Sequence, residues 1–467
     1  MNTEPFCRSA VELRDLVVAK EISPVELLDR CLARMEEVEP KLNAFVTVTE
    51  DVARAAARRA EKAVLDGDPP GLLHGLPISV KDLIAMDGVP FTFGSRLAAG
   101  NVAAVDAPAV ERVRAEGGVI VGKTTTSEFG CKAVGDSPLT GITRNPWDLS
   151  KTPGGSSAGA AASVAAGVTP FALGTDGGGS VRIPGSLTGL FAVKAQFARV
   201  PVFPEAATPT LAHVGPMTRT VRDAALLLAA VAGFDRRDPF AVAEPVPDFL
   251  AACDQPVKGM RIVWSPTLGY AAPASEVVEL CEQAVRTLED IGCEVEIVDT
   301  VMEADPIDMW MSEFYAGVGT RLGMLFGDRR ELLDPAVAEM LRGALDRTLQ
   351  EYCTRVFDRY RFREEMRRFM EGYDLLVSPV LPVPAVDAGL DVPPGMADAN
   401  VISWVRYTYP FNLTGQPAAS LPAGFTAEGH PVGLQLVAKT FREVDIFRVA
   451  AALETARPWS GRTPPMA

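Results

Sequence analysis

Histidine is scarce in this sequence: only three occur among 467 residues. Histidine is the commonest metal ligand and the usual carrier of protons near neutral pH, so histidine-rich metal sites and histidine proton relays are disfavoured. The seven cysteines form no C-x-x-C pair, which excludes zinc ribbons and thioredoxin-type sites. Any catalysis is therefore expected to use other side chains.

Excess basic charge and targeting segments are also missing. The 45 lysines and arginines are outnumbered by 60 aspartates and glutamates, which gives a net charge of −15, whereas nucleic-acid binding requires a basic surface. The N-terminus lacks the basic region and apolar run of a signal peptide. The Ala/Gly-rich stretch 157–173 is too interrupted for a membrane span. We expect a cytoplasmic protein with reduced thiols and with no nucleic-acid or membrane partner.

Helical and strand patterns alternate along the chain. A helix is predicted near Asp51–Leu65, a strand at Leu76–Val80, a helix at Pro108–Glu116 and a strand at Val119–Val121. Such alternation is typical of α/β proteins with a largely parallel sheet. At roughly 150 residues per domain the length would suggest about three domains. No long linker is visible, however, so one continuous α/β body is expected.

Two motif matches are rejected because of their context. The segment 117–124 matches a phosphate-binding P-loop, but the predicted strand lies inside the motif, whereas in a P-loop it precedes the first glycine. The segment 155–159 matches the nucleophile elbow of Ser-His-Asp hydrolases, with Ser157 as nucleophile, but no strand precedes it. The downstream histidines, His213 and His430, are expected to make hydrogen bonds in surface or loop positions.

Three separated elements form a candidate catalytic set. Lys81 follows a predicted strand, Ser156 lies in a Gly/Ser segment that opens an Ala-rich helix, and Ser180 ends a run of three glycines. The peptide N–H groups of a glycine run can converge on one oxygen, which places Ser180 for attack on a carbonyl bound there. Burial lowers the pKa of a lysine, so Lys81 can serve as the base, with Ser156 passing the proton.

Long segments around these residues resemble the amidase signature family. They are NPWDLSKTPGGSSAGAAASVAAG (145–167), GTDGGGSVRIP (174–184) and GPMTRTVRDAALLL (215–228), with shorter matches at 75–82, 121–129, 409–425 and 431–436. The resemblance covers nearly the whole chain. It implies an α/β protein: a single α/β/α sandwich with a large mixed, mostly parallel sheet. Residues 1–467 would form one domain, with a catalytic core at about 70–235 and a substrate-pocket and variable helical region at about 236–415.

The resemblance also implies a role for each candidate residue. Ser180 matches the acylated nucleophile, Lys81 the base, and Ser156 the bridging serine, which in the family follows a cis peptide bond. The remaining matches are the oxyanion-hole amides, at Gly177, Gly178 and Gly179 together with Ser180, and a supporting ion pair, Asp176 with Arg182. No metal or organic cofactor is implied.

Some residues depart from the family pattern. Ala158 replaces a commoner glycine, and Lys194-Ala195-Gln196 stands where Lys-Pro-Thr is usual. Gly177 stands where a bulkier threonine or isoleucine is usual, which predicts a more flexible oxyanion segment or extra room beside the substrate carbonyl. None of these changes removes a catalytic group.

The expected reaction is hydrolysis of small apolar or aromatic amides, anilides or carbamates through an acyl-enzyme. Gly130 and Cys131 fall where fatty-acid amide hydrolases have acyl-pocket residues, and both are small. Further pocket residues are predicted from the aromatic and apolar positions Trp310, Tyr315, Trp404, Val405, Tyr407 and Phe411. The protein is expected to act as a monomer or homodimer.

Two alternatives remain open. The family includes glutamine-using amidotransferase subunits, which work with a partner and hold the glutamine amino group with an aspartate; here Val405 stands at that position. A non-catalytic binding protein on the same scaffold would be expected to lose Lys81, Ser156 or Ser180, and all three are present.

Overall fold

The computed structural model describes residues 8–327, 329–396 and 399–466. Its centre is an 11-stranded sheet, accompanied by a small two-stranded ladder of β4 and β5. In chain order the strands are β1 (Phe45–Val48), β2 (Pro77–Lys81), β3 (Val119–Thr124), β4 (Asp136–Ser137), β5 (Gly141–Ile142), β6 (Phe171–Asp176), β7 (Phe191–Lys194), β8 (His213–Thr218), β9 (Arg261–Trp264), β10 (Glu294–Ile297), β11 (Leu375–Pro379), β12 (Ala418–Phe425) and β13 (Pro431–Ala438).

Helices flank the sheet. In chain order they are α1 (Ala10–Val18), α2 (Pro24–Leu42), α3 (Glu50–Asp66), α4 (Pro108–Ala115), α5 (Ala158–Ala165), α6 (Arg182–Thr188), α7 (Val221–Val231), α8 (Phe249–Ala252), α9 (Ser275–Asp290), α10 (Ile307–Phe326), α11 (Pro335–Leu345), α12 (Leu349–Phe369), α13 (Pro410–Thr414) and α14 (Glu443–Ala456). Among the described residues, no helix has the length and apolar character needed to cross a membrane.

Both faces of the sheet are covered. Along β6, Phe171 and Leu173 belong to the largest apolar core, whereas Ala172, between them, packs in an alanine-rich core with residues of α5. Because successive side chains of a strand point to opposite faces, the two cores lie on opposite sides of the sheet. This confirms the three-layer α/β/α sandwich.

The sheet is mixed, as expected, but the expectation that it is mostly parallel was wrong. Its strand order is β1-β3-β2-β6-β8-β7-β12-β13-β11-β9-β10. Six neighbouring pairs are antiparallel and four are parallel. Strand β2 is parallel to both of its neighbours, β3 and β6. Strands β12 and β13, in contrast, form a hairpin, and a hairpin requires antiparallel strands. Alternation of helices and strands along a chain does not fix strand direction.

Strands from both predicted regions, before and after residue 235, join this one sheet. That arrangement is compatible with the single domain expected for residues 1–467, which stays a prediction. Side chains cap the first two helices: Ser9 and Glu12 form a capping box at α1, and Ser23 caps α2 with proline in its first turn.

Candidate active site

Lys81 is the last residue of β2, a strand hydrogen-bonded between β3 and β6 in the parallel part of the sheet. Residues at the carboxyl ends of such strands project into the crevice where α/β proteins bind ligands. The Lys81 side chain is completely buried. Its Nζ atom lies 2.7 Å from Ser156 Oγ and 2.9 Å from Thr175 Oγ1.

No carboxylate forms an ion pair with Lys81 among the described residues. Burial lowers the pKa of Lys81 well below its usual range, and the negative charge of Asp176 opposes that shift only in part. A neutral lysine is an amine with a free lone pair. Lys81 is therefore suited to take a proton from the adjacent Ser156 hydroxyl.

Ser156 follows a cis peptide bond from Gly155, as the family resemblance implied. A side chain at residue 155 is impossible, because a Cβ atom there would lie 2.2 Å from the carbonyl oxygen of Val134. The next residue, Ser157, donates its hydroxyl to the Thr175 carbonyl and its amide to the Ser180 carbonyl. Ser157 is thus tied to the backbone on both sides, which agrees with rejecting it as a nucleophile.

Ser180 lies just after the glycine run and lines the same cavity as Ser156 and Thr175. In the described chain, the amides of Gly177, Gly178 and Ser180 donate to no protein acceptor. The Gly179 amide differs, since it donates to Asp176 Oδ1 at 2.8 Å. Including Gly179 among the oxyanion donors was therefore wrong for this arrangement: a carboxylate already uses that N–H group.

The expected pair of Asp176 and Arg182 is present and entirely buried. Arg182 donates Nε to Oδ2 at 3.0 Å and Nη2 to Oδ1 at 2.9 Å. Burial alone would raise the pKa of Asp176, but the positive charge and hydrogen bonds of Arg182 hold it well below its usual range. The ionised carboxylate fixes the Gly179 and Val181 amides, and in this way it shapes the turn on which Ser180 sits.

The cavity has a volume of about 490 Å³, within the range of small-molecule sites. Ser156, Thr175, Gly177 and Ser180 lie at its polar end. Its other walls are mostly apolar, and the larger side chains that form them are Leu83, Phe91, Phe93, Val102, Val105, Phe129, Phe203, Phe314, Val318, Leu322 and Leu325. Several of these, including Val102 and Leu325, are exposed, so the cavity has an apolar mouth.

Comparison with known proteins agrees with this geometry. The Amidase family model matches residues 26–447. An acylamidase of Rhodococcus erythropolis is 36% identical over 463 residues, covering 98% of this chain and 97% of that protein. The chain belongs to the amidase signature family. It is accordingly an amidase, an enzyme that hydrolyses amide bonds, and the non-catalytic alternative is set aside.

Two solved structures resemble this amidase over almost its full length. A bacterial aryl acylamidase of the amidase signature family superposes with a TM-score of 0.91 at 32% identity, covering 97% of each chain. A 6-aminohexanoate cyclic dimer hydrolase superposes with a TM-score of 0.91 at 28% identity, covering 99% of each chain. A glutamyl-tRNA(Gln) amidotransferase subunit of Cyanothece is 33% identical over 481 residues, covering 97% of this chain and 98% of that protein.

Of the predicted pocket residues, only Gly130 lines the cavity of this amidase. A Cβ atom there would lie 3.3 Å from Ser156 Oγ and 3.1 Å from Leu83 Cδ1, so glycine keeps space beside the bridging serine. The other predicted pocket residues do not line the cavity, and assigning them to it was wrong; they are Cys131, Trp310, Tyr315, Trp404, Val405, Tyr407 and Phe411.

Those seven residues belong to an apolar core beside the site. Their polar atoms are occupied inside it: Trp310 donates Nε1 to the Gly177 carbonyl at 2.8 Å, and Tyr315 donates its hydroxyl to the Cys131 carbonyl at 2.7 Å. Aromatic residues at helical spacing are common both in cores and in pockets, and here the core arrangement holds. Trp310 still affects the site, because its hydrogen bond holds the Gly177 carbonyl in place.

Several lining residues were not singled out from the sequence. Thr175, which contacts Lys81, and Phe314 of α10 are examples. Phe93 and Phe129 stack with ring centroids 5.7 Å apart, and both have positive φ, at 54° and 51°. A bulky side chain seldom adopts that conformation, so a sequence pattern would not place either residue at a wall of the cavity.

Two other sequence-based expectations can be compared with the structure. Lys123, in the segment that was rejected as a P-loop, lies in β3 and pairs with Asp82 in the interior at 2.8 Å. His213 was expected at a surface or in a loop, and this was wrong: it is buried in β8 and lines the cavity. Its Nδ1 atom lies 2.8 Å from the Leu211 carbonyl oxygen, and burial lowers its pKa well below the usual range.

Proposed function

We propose that this amidase cleaves apolar amides and anilides by forming an acyl-enzyme on Ser180. One observation carries the proposal: a buried lysine with a lowered pKa contacts Ser156 at the polar end of an apolar cavity that Ser180 also lines. Nucleophilic acyl transfer requires a base, a group that passes the proton and a hydroxyl that faces the substrate. In this proposal Lys81, Ser156 and Ser180 supply these three groups.

In the first step, Ser180 Oγ attacks the amide carbonyl carbon while its proton passes to Ser156, whose own proton passes to neutral Lys81. The C–N bond then breaks, and the proton returns by the same route to the departing amine. Water next attacks the acyl-enzyme, gives a proton to the relay and releases the carboxylic acid and free Ser180. Atoms and protons balance without a cofactor.

The negative charge that develops on the carbonyl oxygen needs donors. The amides of Gly177, Gly178 and Ser180 are unoccupied in the described chain, and they supply the oxyanion hole in this proposal. Loss of one such donor typically costs about 3–4 kcal/mol of transition-state stabilisation. Trp310 holds the Gly177 carbonyl, which fixes the orientation of the peptide groups that follow.

The substrate class follows from the walls of the cavity and from the relatives. Aromatic and aliphatic side chains dominate the lining, and apolar ligands gain affinity by burial against such surfaces. Two similar proteins are named an acylamidase and an aryl acylamidase. We therefore expect anilides and alkyl amides to be good substrates, with carbamates as a second class to be tested.

A glutamine-using role with a partner is the second candidate, because several glutamyl-tRNA(Gln) amidotransferase subunits are also similar. The described lining offers two carboxylates for a glutamine amino group. Asp176 is already paired with Arg182, and Glu205 with Arg321. Val405 is buried away from the cavity. These features favour an apolar substrate over glutamine.

A direct test uses the purified chain without a partner. We expect it to hydrolyse p-nitroacetanilide and to show little glutaminase activity, while Ser180→Ala is inactive on both. Glutamine hydrolysis far above anilide hydrolysis, or activity that appears only with a partner, would instead support the second candidate. Light scattering of the same sample distinguishes a monomer from a homodimer, the two states expected.

A further inference from the structure

A second cavity adjoins the catalytic one and shares a wall with it. This outer cavity has a volume of about 900 Å³. It lies between α10, the start of α12 and the irregular segment before β8. Residues 205–208 and Arg321 line both cavities. We call residues 205–208 together with Arg321 the partition.

The partition is thin. Ala206 and Ala207 have side chains of a single methyl group, and in the described chain their peptide groups make no hydrogen bond with other backbone groups. Ala207 packs against α10 at Gly317, where a Cβ atom would lie 2.3 Å from the Ala207 carbonyl oxygen. Little more than one layer of backbone therefore separates the two cavities.

One ion pair closes the partition across its outer edge. Arg321 Nη2 lies 2.5 Å from Glu205 Oε1, and the two side chains are 31% and 63% exposed. Pairs as exposed as this typically contribute about 0–1 kcal/mol. Such a weak contact can open at little cost in free energy.

The outer cavity is lined by apolar side chains together with charged ones such as Glu313, Arg347 and Arg363, and its apolar part is suited to an alkyl or aryl chain. Leu345, Leu349, Tyr352 and Tyr360 line it and are exposed to solvent. Exposed apolar surface of this kind often marks a binding site. On the catalytic side, the lining near the partition is also apolar, with Phe203, Phe314 and Leu325.

We propose that the partition is a gate between two subsites, and that substrates with a long apolar arm extend from Ser180 through it into the outer cavity. This inference rests on the proposed function of Ser180. It specifies that the preferred amides carry an extended alkyl or arylalkyl arm, on either the acyl or the amine side. Short substrates occupy the inner cavity alone.

The test compares kcat/KM for two series: p-nitroanilides of acyl chains from acetyl to decanoyl, and acetamides of alkylamines of the same lengths. In the wild-type enzyme, kcat/KM should rise with chain length in at least one series. Ala316→Trp fills the outer cavity only, since Ala316 lines that cavity and not the inner one. This variant should lose at least tenfold on the longest substrate of that series and keep its rate on the acetyl compound.

The matched control is Gly323→Trp, which places the same side chain on the same helix at a position that lines neither cavity and has open space around it. It should behave like wild type. Glu205→Gln, which weakens the ion pair, should raise the rate on long substrates about two- to fivefold relative to the acetyl compound. If Ala316→Trp loses activity on the acetyl compound, its thermal unfolding midpoint, compared with that of wild type, shows whether the variant is destabilised.

The gate is overturned if kcat/KM falls with chain length in both series, or if Ala316→Trp and Gly323→Trp have the same ratio of long-chain to short-chain rates. Failure of the proposed function would look different, because Ser180→Ala would then hydrolyse the acetyl substrate as well as wild type does.

Discussion

A Cβ atom on Gly177 would lie 2.9 Å from Cε2 of Phe314. The sequence suggested that glycine at position 177 leaves extra room beside the substrate carbonyl. The structure shows no such room. The Phe314 ring, stacked on Trp310 with centroids 4.4 Å apart, occupies that space from α10. Glycine at 177 and phenylalanine at 314 fit one another, and together they form the wall next to the oxyanion amides.

This fit predicts the behaviour of Gly177→Thr. The added side chain must displace the Phe314 ring or the glycine run, and overpacking of this kind typically costs about 1–3 kcal/mol. We expect kcat/KM on p-nitroacetanilide to fall at least tenfold. The double variant Gly177→Thr with Phe314→Ala should recover most of that loss, because the space is vacated. A double variant no better than Gly177→Thr alone would contradict the proposed fit.

Thr175 is predicted to position the base. Its hydroxyl lies 2.9 Å from Lys81 Nζ and can accept a hydrogen bond from the charged amine, which favours the charged form. Thr175→Val should lower kcat about tenfold with little change in KM, and it should move the acidic limb of the pH–rate profile to lower pH. Thr175→Ser keeps the hydroxyl and should restore both. A loss of rate with an unmoved profile in both variants would indicate a purely structural role.

The pH dependence follows from the state of Lys81. The base must be neutral, so the rate should rise with pH as Lys81 loses its proton and then level off. Because burial lowers the pKa of Lys81, the plateau should begin well below the ordinary lysine pKa of about 10.4. The measurement is kcat/KM on a neutral anilide across the pH range in which the fold is intact. A rate still rising steeply near pH 10 would contradict the lowered pKa.

The buried pair of Asp176 and Arg182 is predicted to matter for stability as well as for activity. Removing one partner leaves an uncompensated buried charge, which typically costs about 3–5 kcal/mol. Arg182→Gln should therefore reduce the free energy of unfolding by roughly that amount in urea denaturation. Arg30→Gln is the control: it breaks an exposed pair with Glu26 and should cost less than about 1 kcal/mol. Equal losses in both variants would argue against the role given to the buried pair.

The sequence was informative where contiguous residues determine the geometry. Lys81, Ser156 and Ser180 each lie within a motif. In the structure Lys81 contacts Ser156, and Ser156 and Ser180 line one cavity. The cavity walls could not be predicted in the same way, because they combine side chains from distant segments. Phe93 and Phe129, for example, meet only through two unusual backbone conformations.

Two wrong expectations have the same origin. The aromatic residues near position 407 and in α10 were assigned to the pocket by composition, but all of those assigned pack in an adjoining core. The Gly179 amide was assigned to the oxyanion hole by its place in the motif, yet Asp176, three residues earlier, already accepts a hydrogen bond from it. Neither outcome depends on residue type alone; both depend on which groups tertiary packing brings together.

The central claim is that Ser180 is the nucleophile, activated by Lys81 through Ser156. Its most direct test is reaction with an activated fluorophosphonate, followed by intact-mass measurement and peptide mapping. We predict a single adduct on Ser180 in the wild-type enzyme, no adduct in Ser180→Ala, and labelling slowed at least a hundredfold in Lys81→Met. An adduct on Ser157, or labelling of Lys81→Met at the wild-type rate, would contradict the account.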